Sequence, residues 1–149
     1  MDYEREGQVV SMIKEITPPQ AWDILNSDKT AVLLDVRTKL EFDYVGHPPG
    51  AVHVPWQETP TWEINPVFVD KVREALKKAR PEVHAAEDLK VLALCRSGKR
   101  SHAAGQALAE AGFNNVMNIK EGFEGEIDKN KHRGNINGWR FHKLPWEQT

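Results

Sequence analysis

Val91-Leu92-Ala93-Leu94-Cys95-Arg96-Ser97-Gly98-Lys99-Arg100-Ser101 is the stretch that decides the fold. Its opening residues form an unbroken apolar run of the kind that fills a strand buried on both faces. The alanine-rich segment from Ser101 to Ala111 is helical in pattern, with Ala104, Ala107, Leu108 and Ala111 on one face and Gly112 as its stop. This order puts the only cysteine of the chain at the carboxyl end of a strand, facing a helix amino terminus. Unpaired N–H groups and the helix dipole favour negative charge there. Arg96, Lys99 and Arg100 crowd positive charge around the same point. Helix amino termini and nearby cations both promote the thiolate, the nucleophilic form of a cysteine. A cysteine after an apolar strand is by itself often an inert core residue. An inert residue has no need of a basic, glycine-containing loop, so the segment reads as an anion-binding loop centred on a nucleophilic Cys95.

Working outward, the same alternation of short strands and helices continues. Thr17-Pro18-Pro19-Gln20 is a helix start, with a threonine cap, proline in the first turn and glutamine at the capping-box position. Ala31-Val32-Leu33-Leu34-Asp35-Val36 is a buried-type strand, and Ala51 to Val54 a second, after the turn His47-Pro48-Pro49-Gly50. Trp56 to Glu63 has no period and reads as a loop. Asn65-Pro66 opens a helix in which Phe68, Val72, Ala75, Leu76 and Ala79 recur at helical spacing. Val116, Met117 and Ile119 mark a last core strand. The tail from Glu121 is loop-like, with Trp139, Phe141, Leu144 and Trp146 as expected aromatic and apolar anchors. Alternating strands and helices predict an α/β domain with a mostly parallel sheet, and ligands of such sheets bind beyond the carboxyl ends of the strands.

The 149 residues suit one domain, with 40% hydrophobic and 28% charged residues in the ordinary globular range. A net charge of −2 argues against a general nucleic-acid binder. One cysteine excludes an internal disulfide, and a reactive free thiol suits a reducing compartment. The charged start, Met1 to Glu6, is not followed by a signal-type apolar run, and no stretch is long enough to span a membrane. A cytoplasmic protein is expected. His53, His84, His102, His132 and His142 lack metal-ligand spacing, so no metal is expected.

Three segments together resemble the rhodanese family of sulfurtransferases. Asp35-Val36-Arg37-Thr38-Lys39-Leu40-Glu41-Phe42 with Gly46-His47-Pro48-Pro49-Gly50-Ala51 is similar to that family's amino-terminal signature. Cys95 to Ser101 resembles its active-site loop, and Gly112-Phe113, Val116 and Glu121-Gly122-Phe123 resemble the segment that follows. Pro48-Pro49 departs from the family, which usually has an aliphatic residue before the proline. The resemblance implies a three-layer rhodanese domain over residues 12–146, with a central five-stranded sheet flanked by helices, after an extension of residues 1–11. It also implies a double displacement: Cys95 takes a sulfane sulfur from thiosulfate or another persulfide-type donor. It then passes that sulfur to cyanide, a small thiol or a sulfur-carrier protein, without a cofactor, a nucleic acid or a membrane.

Within that expectation the residues divide by role. Cys95 is the nucleophile. Arg96 and Lys99 are expected to hold the oxygens of a thiosulfate-like donor, Arg100 to do the same or to brace the loop, and Ser97 to donate a hydrogen bond. Gly98 and Ser101 are expected to bind substrate with them. Asp35 and Arg37 are expected as loop support, with Arg37 and Glu41 placed to pair across a helical turn. Trp56 and Trp62 are either core aromatics or the mouth of a pocket, and His102 is a first-turn residue near the loop. Cysteine-dependent phosphatases place their arginine one residue further on, where this chain has Ser101. The shorter loop suits one sulfur atom better than a phosphate, which leaves phosphatase or arsenate reductase as weaker alternatives beside a non-catalytic docking module.

Overall fold

A computed structural model describes residues 13–149 throughout, and before them the backbone of two strands, β1 (Asp2–Arg5) and β2 (Gln8–Ser11). These two pair antiparallel in a two-stranded sheet of their own. The boundary expected between an extension and the domain falls on Met12, outside the described residues.

The main sheet has five parallel strands in the order β3-β7-β6-β4-β5. They are β3 (Lys14–Ile16), β4 (Ala31–Asp35), β5 (Val52–His53), β6 (Lys90–Leu94) and β7 (Asn115–Ile119). β6 lies at the centre, so its apolar run is covered on both faces as its composition requires. Alternation along the strands sorts side chains into two cores. Val32, Leu34, Val91 and Cys95 face one side and pack with Phe68, Val72, Leu76, Ala104 and Leu108. These come from α2 (Phe68–Ala79) and α3 (Lys99–Glu110). Leu33, Leu92, Leu94 and Ile119 face the other side, against Ala21 of α1 (Pro18–Ser27) and against Phe123 and Trp139 of the carboxyl-terminal segment.

Helix starts follow the sequence closely. Thr17 and Gln20 form the reciprocal capping box that their spacing predicts, at 3.3 and 2.8 Å. Asn65 caps the approach to α2 through its Oδ1, which accepts from Val67 N–H at 3.0 Å. At the other end of α3, Gly112 takes φ +102° and Phe113 N–H returns to Leu108 O, closing the helix with a left-handed residue.

The departures lie at edges and turns. β5 is two residues long rather than the full Ala51–Val54 run, because as an edge strand it pairs only with β4. The compact segment after Leu40 is a π-helical turn, Glu41–Val45, that ends at Gly46 with φ +117°. A Cβ there would lie 2.7 Å from the Trp146 ring, so the turn and the chain terminus close on each other only through a glycine. Of the expected anchors Trp139 is fully buried, whereas Phe141 and Trp146 are 42% and 44% exposed. Phe141 stands edge-on to the neighbouring His142 ring at the surface and does not act as a buried anchor. Among the described residues no helix is long and apolar enough to cross a membrane.

Candidate active site

The carboxyl end of β6 delivers Cys95 to the floor of a cavity of about 590 Å³. Cys95 is 1% exposed, as a residue at the bottom of a cleft should be. Two groups lie within hydrogen-bonding reach of Sγ. Gly98 N–H donates from 3.1 Å, and the Ser101 hydroxyl stands at 3.2 Å. Gly98 is the N-cap of α3 and adopts φ +105°, a left-handed turn that aims its N–H back at the sulfur. At the helix amino terminus Sγ thus has a backbone donor and a side-chain hydroxyl within reach.

The outer side of the loop is held by the segment after β7. Phe123 N–H donates to Cys95 O at 2.8 Å, and Glu124 N–H to Arg96 O at 3.0 Å. This requires a close approach: Gly122 has φ +71°, and a Cβ on it would lie 2.4 Å from Arg96 O. The next layer repeats the device, since Trp139 N–H donates to Gly122 O and the Glu121 carboxylate accepts from Gly138 N–H and faces His142 Nε2. A tail without periodicity therefore becomes the back wall of the cysteine loop.

The basic residues of the loop separate into two kinds. Arg100 is bound by both nitrogens to the Glu41 carboxylate, at 2.7 and 2.8 Å. Burial pushes the Glu41 carboxyl up, but the hydrogen bonds and charge of Arg100, with Thr38, overcome it and hold Glu41 at about 2. Burial works against the Arg100 charge too, and Glu41 more than offsets it, so the Arg100 pKa is raised. Arg100 is a brace between α3 and the π turn. Arg96 and Lys99 also line the cavity, and neither makes an ion pair among the described residues. Ser97 lines it beside them.

The pairing expected between Arg37 and Glu41 does not form. Arg37 instead grips Asp35, with Nε at 2.9 Å and one terminal nitrogen at 2.7 Å, and that nitrogen also reaches Gly46 O. Strand geometry explains the exchange: Asp35 ends β4 two residues away and accepts from Arg37 N–H as well, while Glu41 turns towards α3. Both partners are fully buried, and the Arg37 guanidinium lies 4.5 Å from the Phe123 ring, next to the loop's back wall. Asp35 and Arg37 are outside the cavity.

The two tryptophans also part. Trp62 (φ +59°) reaches the cavity wall, held on the loop after β5 by its N–H to Glu58 O and by Gln57 Nε2 donating to its carbonyl. Trp56 stands edge-on to Phe68 in the core and does not reach the cavity. His102 faces Glu15 on the surface, with Nδ1 3.0 Å from its carboxylate, and also stands outside the cavity. Sequence reasoning missed Glu124 and Arg133, which line the cavity from the tail, and the buried Asn118 of β7, whose Oδ1 lies 2.5 Å from the Ser101 hydroxyl. A signal for Asn118 was present, since it is a polar residue inside an apolar strand. Nothing in the tail's composition marked Arg133.

Comparison with known proteins places the fold in a family. The Rhodanese-like domain family matches residues 17–127. The chain is similar to an uncharacterized protein, RC0915, of Rickettsia conorii, at 33% identity over 138 residues, which is 91% of this chain and 98% of that one. It is similar to the thiosulfate sulfurtransferase GlpE of Haemophilus influenzae at 30% identity over 112 residues, 75% of this chain and 86% of that one. In structure it resembles Rv0390 from M. tuberculosis, with a TM-score of 0.80 and 36% identity over 93% of this chain and 100% of that one. Sequence, sheet order and cysteine loop converge, and the chain belongs to the rhodanese-like domain family.

Proposed function

We propose that this chain is a sulfurtransferase that carries a sulfane sulfur as a persulfide on Cys95. The observation that carries the reading is the environment of Sγ: a cavity floor, two hydrogen-bond donors within reach, and the cations Arg96 and Lys99 above it. In the first half-reaction the Cys95 thiolate attacks the outer sulfur of the donor. A new S–S bond forms, the donor's S–S bond breaks, and its electron pair leaves with sulfite when the donor is thiosulfate. The product persulfide is anionic at its outer sulfur, and the loop's donors and cations stabilise both anions. In the second half-reaction a thiophilic acceptor takes the outer sulfur and the Cys95 thiolate returns. Arg96 and Lys99 hold the donor's oxygens, Ser97 lines their side of the cavity, and Arg100 braces the loop.

The cavity is far larger than one inorganic anion requires, and Leu40, Val45 and Trp62 give it an apolar wall. That favours an organic persulfide or a sulfur-carrying protein terminus over thiosulfate as the working partner. Intact-protein mass tests the proposal. Brief exposure to thiosulfate, or to an alkyl persulfide, should add one sulfur atom that cyanide then removes. Cys95→Ser should show no gain. A wild-type chain that gains no mass from either donor would overturn the reading.

A further inference from the structure

Asn118 is 1% exposed, and its amide bonds both residues that reach the cysteine sulfur, Gly98 through its carbonyl and Ser101 through its hydroxyl. Nδ2 donates to Gly98 O at 3.0 Å and to Glu15 Oε1 at 2.8 Å. With both donors used, Oδ1 is fixed towards the Ser101 hydroxyl, 2.5 Å away. That hydroxyl is also 3.2 Å from Cys95 Sγ. A serine hydroxyl has one proton, so it cannot serve Oδ1 and an anionic sulfur together. With a thiol at Cys95 every group is satisfied: S–H donates to Ser101 Oγ, and Ser101 donates to Asn118. With a thiolate the Ser101 proton turns to Sγ, and the buried Oδ1 loses its donor at a real cost.

We propose that Asn118 is a positioning residue that competes with Cys95 for the single Ser101 proton and so biases the site towards an uncharged Sγ. On the sulfur-transfer reading above, uncharged Sγ is also the state reached in the persulfide, whose charge has moved to the outer sulfur. Asn118 thereby favours the movement of charge off Sγ, and a thiolate held less tightly is the better nucleophile. Glu15 strengthens the competition: accepting from Nδ2 polarises the amide and makes Oδ1 a better acceptor. Its other oxygen faces His102, so the hydrogen-bond chain runs from a surface pair to the sulfur.

Other charges also act on Cys95. Arg96, Lys99 and Arg100 face it from the loop and α3, and Glu41 faces it from the π turn. Glu124 and Arg133 share the cavity from the tail, and Asp35 acts on Arg100 from the end of β4. All of these, and His102, remain in every variant below, so their effect cancels between backgrounds.

The test is the pH profile of Cys95 alkylation by iodoacetamide, in which an S–C bond forms and iodide leaves. It compares wild type, Ser101→Ala, Asn118→Ala and the double variant, each shown to be folded by its thermal transition. Ser101→Ala should raise the profile midpoint by about one pH unit, the worth of one hydrogen bond to a charged sulfur. Asn118→Ala should lower it by about half a unit or more, and should do nothing in the Ser101→Ala background. An upward shift for Asn118→Ala, or equal shifts in the two backgrounds, overturns the proposal. If Asn118→Ala does not fold, Glu15→Gln on the exposed end gives the same comparison with a smaller downward shift. A Glu15→Gln shift that persists without Ser101 would be plain charge repulsion and would equally overturn it. Alkylation needs no sulfur donor, so the result stands apart from whether Cys95 takes up sulfur.

Discussion

Two arginine–carboxylate pairs flank the cysteine loop; both are bidentate, Arg37 side-on through Nε and one terminal nitrogen and Arg100 end-on through both terminal nitrogens, and they have different jobs. Asp35–Arg37 is sealed, with both side chains 0% exposed, under Phe123 and against Gly46 O. Glu41–Arg100 opens on the cavity, with its side chains 15% and 16% exposed. The first ties a strand end to the turns that support the loop. The second takes one loop cation out of play, while Arg96 and Lys99 line the cavity without an ion pair among the described residues. In a basic loop the cations are therefore not equivalent: one with a carboxylate partner on another element is part of the wall.

The sharpest way to break this comparison is to cut the sealed pair. Asp35→Ala leaves the Arg37 guanidinium buried without its counter-charge, which costs about 3–5 kcal/mol. For a chain of this size that should lower the melting temperature by roughly 10 °C. A loss below about 1 kcal/mol in chemical denaturation would show that water reaches Arg37 and that the pair is not sealed.

The open pair should give a smaller effect with a pH signature. Glu41→Gln should cost about 2–3 kcal/mol at neutral pH, consistent with a carboxyl lowered from 4.5 to about 2. Because the folded-state value is the depressed one, the contribution is complete above about 4.5. It is lost as pH falls towards about 2. Denaturant titrations of the two proteins should therefore differ by a constant amount above pH 5 and converge below pH 4.5. A gap that stays constant down to pH 3 would mean that Glu41 carries no ionic stabilisation.

The same contrast explains what could be read in the sequence. The apolar run of β6, the capping box of α1 and the spacing of α2 are local patterns, and each appears where its residues predict. Cys95 and its loop were legible for the same reason, since strand, turn and helix are contiguous there. Partner choice was not legible. Arg37 has Asp35 and Glu41 at comparable separations in sequence, and only the end of β4 and the approach of α3 decide between them. The tail is the extreme case. Gly122, Gly125 and Gly138 carry positive φ where backbone layers meet, and no periodicity reports such contacts between distant segments.

Arg96 and Lys99, which make no ion pair among the described residues, should behave in the opposite way to Arg100. Arg96→Ala and Lys99→Ala should each leave stability within about 0.5 kcal/mol of wild type. Each should raise the thiosulfate KM about tenfold, as expected for losing one charge-assisted contact to an anion. Steady-state sulfur transfer to cyanide, beside thermal melts, separates the two effects. A stability loss without a KM change would place either residue in the wall with Arg100.

The smallest effect should come from Trp62, where the wall and the ligand meet. Trp62 is 46% exposed and its ring lies 5.8 Å from the Arg100 guanidinium, near the limit of a cation–π contact, so its support of Arg100 is worth at most about 0.5–1 kcal/mol. Its larger asset is apolar area on the cavity wall beside Leu40 and Val45. On the proposed reading, a small inorganic donor at the cavity floor would gain nothing from that area, whereas an organic persulfide would lie along it. Trp62→Ala should therefore leave the thiosulfate KM within about twofold, and should raise the KM for an alkyl persulfide about three- to tenfold by removing buried contact. Equal losses for both donors would assign Trp62 to the bracing of Arg100 and not to the choice of donor.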